Sequence, residues 1–227
     1  MNYSEIITHI QSNRNQKNID GQARFGIKSS NSYGWSKPDI KSLARKIGKN
    51  HLLALELWDS QIHDARHLAI MIAEKKKVSE KVMDSWCNEF YSWDIVDDCC
   101  SKLFCRTPFA YEKAYEWTSW EGEFQRRAGF SMMAFLAVHD KKAGDEKFIS
   151  FFPYYLKYSN DERNYVKKAI HWAMRQSGKR NMNLCNRVLE LAEEMKQNQH
   201  KVTRWIASEV IKELSRYKAE GKIKNLK

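Results

Sequence analysis

Apolar residues recur every three or four positions along most of this chain, which places them on one face of an α-helix. Three prolines and nine glycines interrupt the pattern, and no segment alternates apolar and polar residues convincingly as a strand would. Ser36 and Pro38 mark one helix start, since serine is favoured as the N-cap and proline in the first turn. The sequence therefore predicts an all-α protein. The predicted helices are PDIKSLARKIG, HLLALELWDS, HDARHLAIMIAEKK, SEKVMDSWCNEFYS, SWDIVDDCCSKLFC, FAYEKAYEWTS, EGEFQRRAGFSMMAFLAVHD, DEKFISFFPYYLKYS, ERNYVKKAIHWAMRQSG, NLCNRVLELAEEMKQ and KVTRWIASEVIKELSRYK.

Four of these helices share a basic residue near their start, followed by small and apolar positions. The shared residues are Arg66, Arg127, Lys168 and Arg204, at separations of 61, 41 and 36 residues. Helix pairs that recur every ~40 residues are typical of HEAT-like solenoids. A basic amphipathic bundle could show the same coincidence. The pattern favours a single HEAT-like helical-repeat solenoid over residues 1–227, built from stacked antiparallel helix pairs and curved so that the basic residues line a concave face.

Composition and cysteine content indicate the class of protein and its cellular compartment. The chain has 227 residues, 42% of them hydrophobic, which is typical of a globular protein. No run approaches the roughly 18–20 apolar residues of a membrane helix, and the N-terminal segment contains acidic and polar residues that a secretory signal lacks. Five cysteines, two of them adjacent, indicate free thiols in a reducing cytosol. We expect a cytoplasmic monomer without membrane contact.

The positive charge is unevenly distributed. The formal net charge is +11, and residues 161–227 contain 16 Lys and Arg against 8 Asp and Glu. Such a surplus belongs either to a solvated surface or to a face that binds a polyanion. Residues from about 219 to 227 are predicted to form a flexible basic tail.

Three acids lie unexpectedly close together in this basic chain, in the segment FYSWDIVDDCC. On a helical wheel the apolar residues of this segment form one buried face, and Asp98 points away from it towards solvent. Asp94 falls in the first turn, where the helix dipole favours a carboxylate. Trp93 and Asp97, four residues apart, share the flank between core and solvent. Asp97 is therefore the candidate for a functional carboxylate, with an ion pair to a neighbouring arginine as the alternative.

A carboxylate beside an aromatic ring suits one particular reaction. Cleavage of the bond between deoxyribose and a base produces an oxocarbenium-like sugar, which an anion stabilises. A purine alkylated at N3 or N7 is already cationic and leaves without a general acid. One carboxylate and aromatic side chains could therefore suffice, while basic residues hold the phosphates.

Four stretches carry a resemblance to a known family: SWDIVD, QRRAG, KAIHWAMR and YGWSKPDIKSLARKIGK. Together, from about Ala23 to the last helices, the chain resembles the AlkD-like DNA alkylation repair family, the HEAT-like-repeat alkylpurine DNA glycosylases. The resemblance implies hydrolysis of the N-glycosidic bond of cationic N3- or N7-alkylpurines in double-stranded DNA. It also implies that the base stays stacked and that neither a metal nor a cofactor is required.

The resemblance further implies roles for individual residues. Asp97 matches the catalytic carboxylate, Trp93 and Trp172 match aromatics that pack against the deoxyribose, and Arg127 matches a basic residue near the lesion. Some family members carry another aromatic on the second N-terminal helix, for which Phe25 is the candidate here. The predicted DNA-binding residues are Arg66, Lys168, Arg175, Lys179 and Arg204.

Two alternatives remain from the sequence. Relatives in this family bind DNA without excising a base, so the chain could be an inactive member that binds damaged, distorted or branched DNA. A protein-binding α-solenoid is the third possibility, and it predicts no DNA affinity at low salt.

Other candidate residues receive structural interpretations. His63 and His67 have the spacing of a two-histidine metal site, but no third ligand is evident, so we expect surface or interhelical hydrogen bonds. His171 points about 100° away from Trp172 on its helix and is not expected to act as a base. The remaining tryptophans expected in the core are Trp58, Trp86, Trp117, Trp120 and Trp205.

Overall fold

The computed structural model of the chain describes residues 1–27 and 30–224, most of them helical. No strand occurs in this described part, so the predicted all-α class is confirmed. Two short 3-10 helices, Lys75–Lys77 and Phe104–Arg106, lie between α-helices. The α-helices are α1 (Tyr3–Ser12), α2 (Gln16–Arg24), α3 (Lys37–Ile47), α4 (His51–Asp59), α5 (His63–Ile72), α6 (Glu80–Asn88), α7 (Trp93–Lys102), α8 (Ala110–Thr118), α9 (Glu123–His139), α10 (Asp145–Ile149), α11 (Phe152–Tyr158), α12 (Asn164–Gly178), α13 (Met182–Lys196) and α14 (Lys201–Ala219).

The helices group into two compact units. Unit 1, Met1–Thr107, contains α1 to α7, and unit 2, Pro108–Lys227, contains α8 to α14. That residues 1–227 form one continuous solenoid domain stays a prediction. Among the described residues, no helix has both the length and the apolar character needed to cross a membrane.

In unit 1, α5 packs against α3, α4 and α7. Every residue of α5 except Met71 is buried, including four that are polar or charged. Buried polar groups must find partners inside the protein. Asp64 accepts hydrogen bonds from the backbone N–H groups of Tyr33 at 2.7 Å and Trp35 at 2.8 Å. This carboxylate therefore holds the loop that leads into α3.

In unit 2, α9 packs against α8 and α12, and α12 also packs against α13 and α14. Gly129 on α9 lies where the backbones of α8 and α9 approach each other. A Cβ atom at this position would lie 2.6 Å from the Thr118 nitrogen and 3.0 Å from the Ala114 oxygen. The glycine of the QRRAG motif is therefore required by the packing of these two helices.

The repeat pattern read from the sequence has a structural counterpart. Arg66, Arg127, Lys168 and Arg204 are the fourth or fifth residues of α5, α9, α12 and α14, so their placement near the start of four helices is confirmed. Their side chains differ in environment, because Arg66 and Arg127 are buried whereas Lys168 and Arg204 are exposed.

The segment DEKFISFFPYYLKYS does not form the single helix that was predicted. It forms α10, which ends at Ile149, and α11, which has Pro153 in its first turn. Proline lacks an N–H donor, and its ring clashes with the carbonyl four residues earlier, so a continuous helix cannot pass through it. The chain bends between the two short helices.

The described part of the predicted tail packs onto unit 2. After α14 ends at Ala219, Ile223 is largely buried, and the Lys224 N–H donates to the Lys179 carbonyl at 3.3 Å. Residues 225–227 lie outside the described residues.

Candidate functional site

The apolar face of α7 faces the core as predicted. Ile95, Val96, Cys99 and Cys100 are all completely buried, and Leu103 just beyond the helix is nearly so. Burial raises the pKa of the Cys99 and Cys100 thiols well above their usual range. These cysteines therefore anchor the helix as apolar side chains.

Trp93 is half-buried at the start of α7 and contacts the end of α2. Its Nε1–H donates to the carbonyl oxygen of Phe25 at 3.0 Å. The Phe25 side chain itself is 74% exposed. The structure therefore brings both aromatic candidates of the N-terminal half together, with Phe25 beside Trp93.

Asp94 has a different environment from the one expected for a first-turn carboxylate. It is buried, and its Oδ2 accepts hydrogen bonds from Nε2 of His63 at 3.1 Å and Nε2 of His67 at 2.9 Å. Burial alone would raise the pKa of Asp94, but these two histidines hold it far below its usual value. Asp94 does lie in the first turn of α7 as predicted, and it has in addition two histidine partners that the sequence did not indicate.

Asp98 is not solvated either. Its side chain is 15% exposed and lies 2.6 Å from Nζ of Lys37, 2.7 Å from Nδ1 of His67 and 2.8 Å from Nζ of Lys102. Burial alone would raise the pKa of Asp98, yet the hydrogen bond from His67 and the charge of Lys37 lower it well below the usual range. The prediction of a solvent-facing Asp98 is wrong.

Asp97 is half-exposed, one turn after Trp93 on α7. Its neighbours Asp94 and Asp98 are engaged with histidine and lysine side chains inside unit 1. A partly exposed carboxylate one turn from a half-buried indole can meet a ligand at the protein surface.

A cavity of about 660 Å³ lies in unit 1 beside this region. Basic and apolar side chains line this cavity. His63, His67 and Asp94 form part of its wall. Lys37 also belongs to the lining of this cavity.

In unit 2, Arg127 and Trp172 lie on the packed helices α9 and α12. Arg127 is buried, and its guanidinium donates to the Tyr165 carbonyl at 3.0 Å. Trp172 is half-buried and packs edge-to-face on Phe135, with ring centroids 4.8 Å apart. Their predicted contacts with DNA stay predictions.

The predicted DNA-binding residues differ in solvent exposure, and they form an exposed, a partly exposed and a buried group. Lys168 and Arg204 are exposed. Arg175 and Lys179 are partly exposed and share one carboxylate, Glu213.

Arg66 is the exception, because it is 3% exposed and lies in the interior of unit 1. It forms an ion pair with Glu89, donates to the Trp58 carbonyl at 3.1 Å and lies over the Trp58 ring at 4.6 Å. The structure thus gives Arg66 a packing role instead of a place on a DNA-binding surface.

Trp205 was expected in the core, but it is 39% exposed on α14. Its ring lies 5.5 Å from that of His171, and Nζ of Lys167 lies 5.6 Å from the ring centroid. Burial lowers the pKa of His171 to about 4, so this imidazole is neutral at physiological pH. Trp58, Trp86 and Trp117 are buried as predicted, and Trp120 is half-buried.

Sequence reasoning missed the cross-helix cluster of two histidines and two aspartates. A signal was present, because His63 and His67 stand four residues apart on one helix and Asp94 and Asp98 stand four residues apart on another. Two such pairs can face each other when their helices pack, as α5 and α7 do.

Comparisons with known proteins place the architecture. A sequence model of the family described as DNA alkylation repair enzyme matches residues 6–214. A solved structure is described as a new family of proteins related to the HEAT-like repeat DNA glycosylases with affinity for branched DNA structures. It is similar to this chain with a TM-score of 0.77, covering 98% of this chain and 96% of that chain at 19% identity. No curated protein matches the sequence significantly. The HEAT-like fold class is confirmed, and the concave basic face stays a prediction.

Proposed function

Because the chain belongs to the DNA alkylation repair enzyme family, we propose that it excises cationic N3- or N7-alkylpurines from double-stranded DNA by hydrolysing their N-glycosidic bond. The observation that supports this most directly is the placement of Asp97. It is a partly exposed acid of α7 and follows Trp93 by one helical turn. We further propose that the base stays stacked in the duplex during excision.

In the proposed reaction, the bond between C1′ and the purine nitrogen breaks and its electron pair leaves with the base. The alkylated purine was cationic and leaves neutral, so no general acid is needed. The positive charge moves to the sugar, where Asp97 stabilises it. A water molecule then adds to C1′ and loses a proton to solvent.

Other residues hold the substrate in this proposal. Trp93 and Trp172 pack against the deoxyribose of the damaged nucleotide, and Arg127 contacts the DNA backbone near the lesion. Phosphate contacts come from the exposed Lys168 and Arg204 and from the partly exposed Arg175 and Lys179. Arg66 is left out, because its guanidinium forms an ion pair with Glu89 and packs over the Trp58 ring in the interior of unit 1.

A second candidate function is binding of branched DNA without excision. One observation favours it: the solved structure with a TM-score of 0.77 belongs to proteins described as having affinity for branched DNA. This activity would use the same exposed cations but would not require Asp97.

The test is release of free 7-methylguanine from methylated duplex DNA by the wild type, Asp97→Asn and Asp59→Asn. Asp59 is an exposed acid at the end of α4, so its replacement changes the net charge identically and serves as the control. We expect Asp97→Asn to lose about 10²-fold or more in rate, as removal of one preorganised electrostatic group does. Asp59→Asn should match the wild type.

Equal rates for all three proteins would remove Asp97 from the mechanism. If none releases base, and a four-way junction is bound more tightly than a linear duplex of the same length, the chain is the branched-DNA binder instead. We further propose a cytosolic monomer, in keeping with the four buried free thiols.

A further inference from the structure

We propose that His63, His67 and Asp94 form a binding site for one divalent transition-metal ion of the Zn²⁺ class. The three residues are buried, and their ligand atoms lie within 4.8 Å of one another. This proposal goes beyond the glycosylase function and does not depend on it.

The donor set has the composition and approximate geometry of a metal site. Tetrahedral Zn²⁺ binds imidazole nitrogen and carboxylate oxygen at ~2.0 Å, which places neighbouring ligand atoms roughly 3.3 Å apart. Asp94 Oδ2 lies 3.1 Å from Nε2 of His63 and 2.9 Å from Nε2 of His67. A small opening of the cluster accommodates an ion at the centre.

The polar atoms of the three ligands that do not face the proposed ion also have hydrogen-bond partners. Nδ1 of His63 lies 2.9 Å from the Tyr91 hydroxyl, and Nδ1 of His67 lies 2.7 Å from Asp98. The other carboxylate oxygen of Asp94 accepts a hydrogen bond from the Ser92 hydroxyl. Outer partners of this kind fix the ring orientation of metal-bound histidines and make them better ligands.

A cation already occupies the edge of the cluster. Nζ of Lys37 lies 2.6 Å from Asp98 and 2.7 and 3.0 Å from the two nitrogens of His67. The Lys37 side chain is 47% exposed, so it can swing into solvent when an ion binds. Its positive charge competes with the metal, and removing that charge should strengthen metal binding.

The cluster also leaves a coordination position open. His63, His67 and Asp94 all line the 660 Å³ cavity, so an ion held by them faces that space. A fourth ligand, water or an anion, would come from there.

The test uses the full-length chain, first treated with a chelator and then titrated with Co²⁺ and Zn²⁺. We expect one Co²⁺ per chain, with the visible absorption of four-coordinate cobalt and without a thiolate charge-transfer band, which separates this site from the cysteines. His67→Gln and Asp94→Asn should lose the signal. His9→Gln, which replaces an exposed histidine of the same unit, should keep it.

Two further variants retain all three ligands and decide the question even if ligand variants fail to fold. Asp98→Asn removes an outer partner and should weaken metal binding by about 10- to 100-fold. Lys37→Gln should bind metal more tightly than the wild type. The proposal is overturned if the wild type binds no stoichiometric metal, if the signal survives in folded His67→Gln and Asp94→Asn, or if the affinity is unchanged in both Asp98→Asn and Lys37→Gln.

Discussion

At the scale of single residues, the three acids of α7 differ because of what lies opposite each of them. Asp94 and Asp98 face the histidines of α5, and Asp98 also meets Lys37 and Lys102. Asp97 lies on the half-exposed flank. Helical spacing alone separates this flank from the core, but it cannot show which neighbouring helix supplies cations to the other acids.

Gly129 and Gly21 offer a matched test of close helix packing. Glycine to alanine inside a helix normally stabilises by about 1 kcal/mol. We expect this gain for Gly21→Ala, because a Cβ atom there meets nothing within 4 Å. Gly129→Ala should instead destabilise by about 1–3 kcal/mol, since the Cβ atom meets the backbone of α8. Chemical denaturation of both variants measures this, and a stabilised Gly129→Ala would show that α8 and α9 can move apart freely.

At the scale of helices, α12 and α14 are joined by a charged clamp as well as by apolar packing. Arg175 on α12 and Lys179, the residue that caps the C-terminus of this helix, both pair with Glu213 on α14. Burial alone would raise the pKa of Glu213, but the hydrogen bonds from Lys179 and Arg175 lower it below its usual value of 4.5. The clamp is therefore fully formed at neutral pH.

The clamp predicts a particular pH dependence of stability. A carboxyl group whose folded pKa is lowered contributes stability above its unfolded pKa, and this is lost as pH falls through the folded pKa. Between pH about 5 and 3, the wild type should lose about 1 kcal/mol more than Glu213→Gln, whose side chain does not titrate. Thermal melts of both proteins across this range measure the difference. Parallel curves would mean that the clamp adds no stability.

Helix positions could be predicted from the sequence because periodicity and caps are local. The helices α3 to α9 and α12 to α14 fall within the predicted segments or extend beyond them by one residue, while Pro153 divides the remaining segment into two. The Trp93–Asp97 flank was predictable for the same reason. The His–Asp cluster and the burial of Arg66 were not, because both depend on partners 23 to 31 positions away in sequence, such as Glu89 for Arg66.

At the scale of the whole chain, the net charge already counts each ion-paired cation against its acid. The formal charge of +11 is the difference between 39 Lys and Arg and 28 Asp and Glu. In unit 2 the charges of Arg126, Arg163, Arg175 and Lys179 are offset by acids in ion pairs. We therefore expect exposed cations such as Lys168 and Arg204 to contribute most of the proposed phosphate binding.

This division predicts the salt dependence of DNA binding. A plot of the logarithm of the DNA-binding constant against the logarithm of salt concentration has a negative slope, and loss of one phosphate contact makes it less steep by about 0.9. We expect that decrease for Lys168→Gln, with weaker binding of every duplex sequence. Lys196→Gln, an exposed lysine on α13 outside the predicted set, is the charge-matched control. Binding curves at several salt concentrations measure both, and equal slopes would place Lys168 away from the DNA.

The bond between Trp93 and residue 25 has a consequence for how this protein can diversify. The acceptor is the main-chain carbonyl, so the anchor of Trp93 does not depend on the identity of the side chain there. The Phe25 ring, meanwhile, extends mostly into solvent. Position 25 can therefore be varied widely by natural selection or in a randomised library without losing this tether, which makes it a place where new ligand preferences can arise at little structural cost.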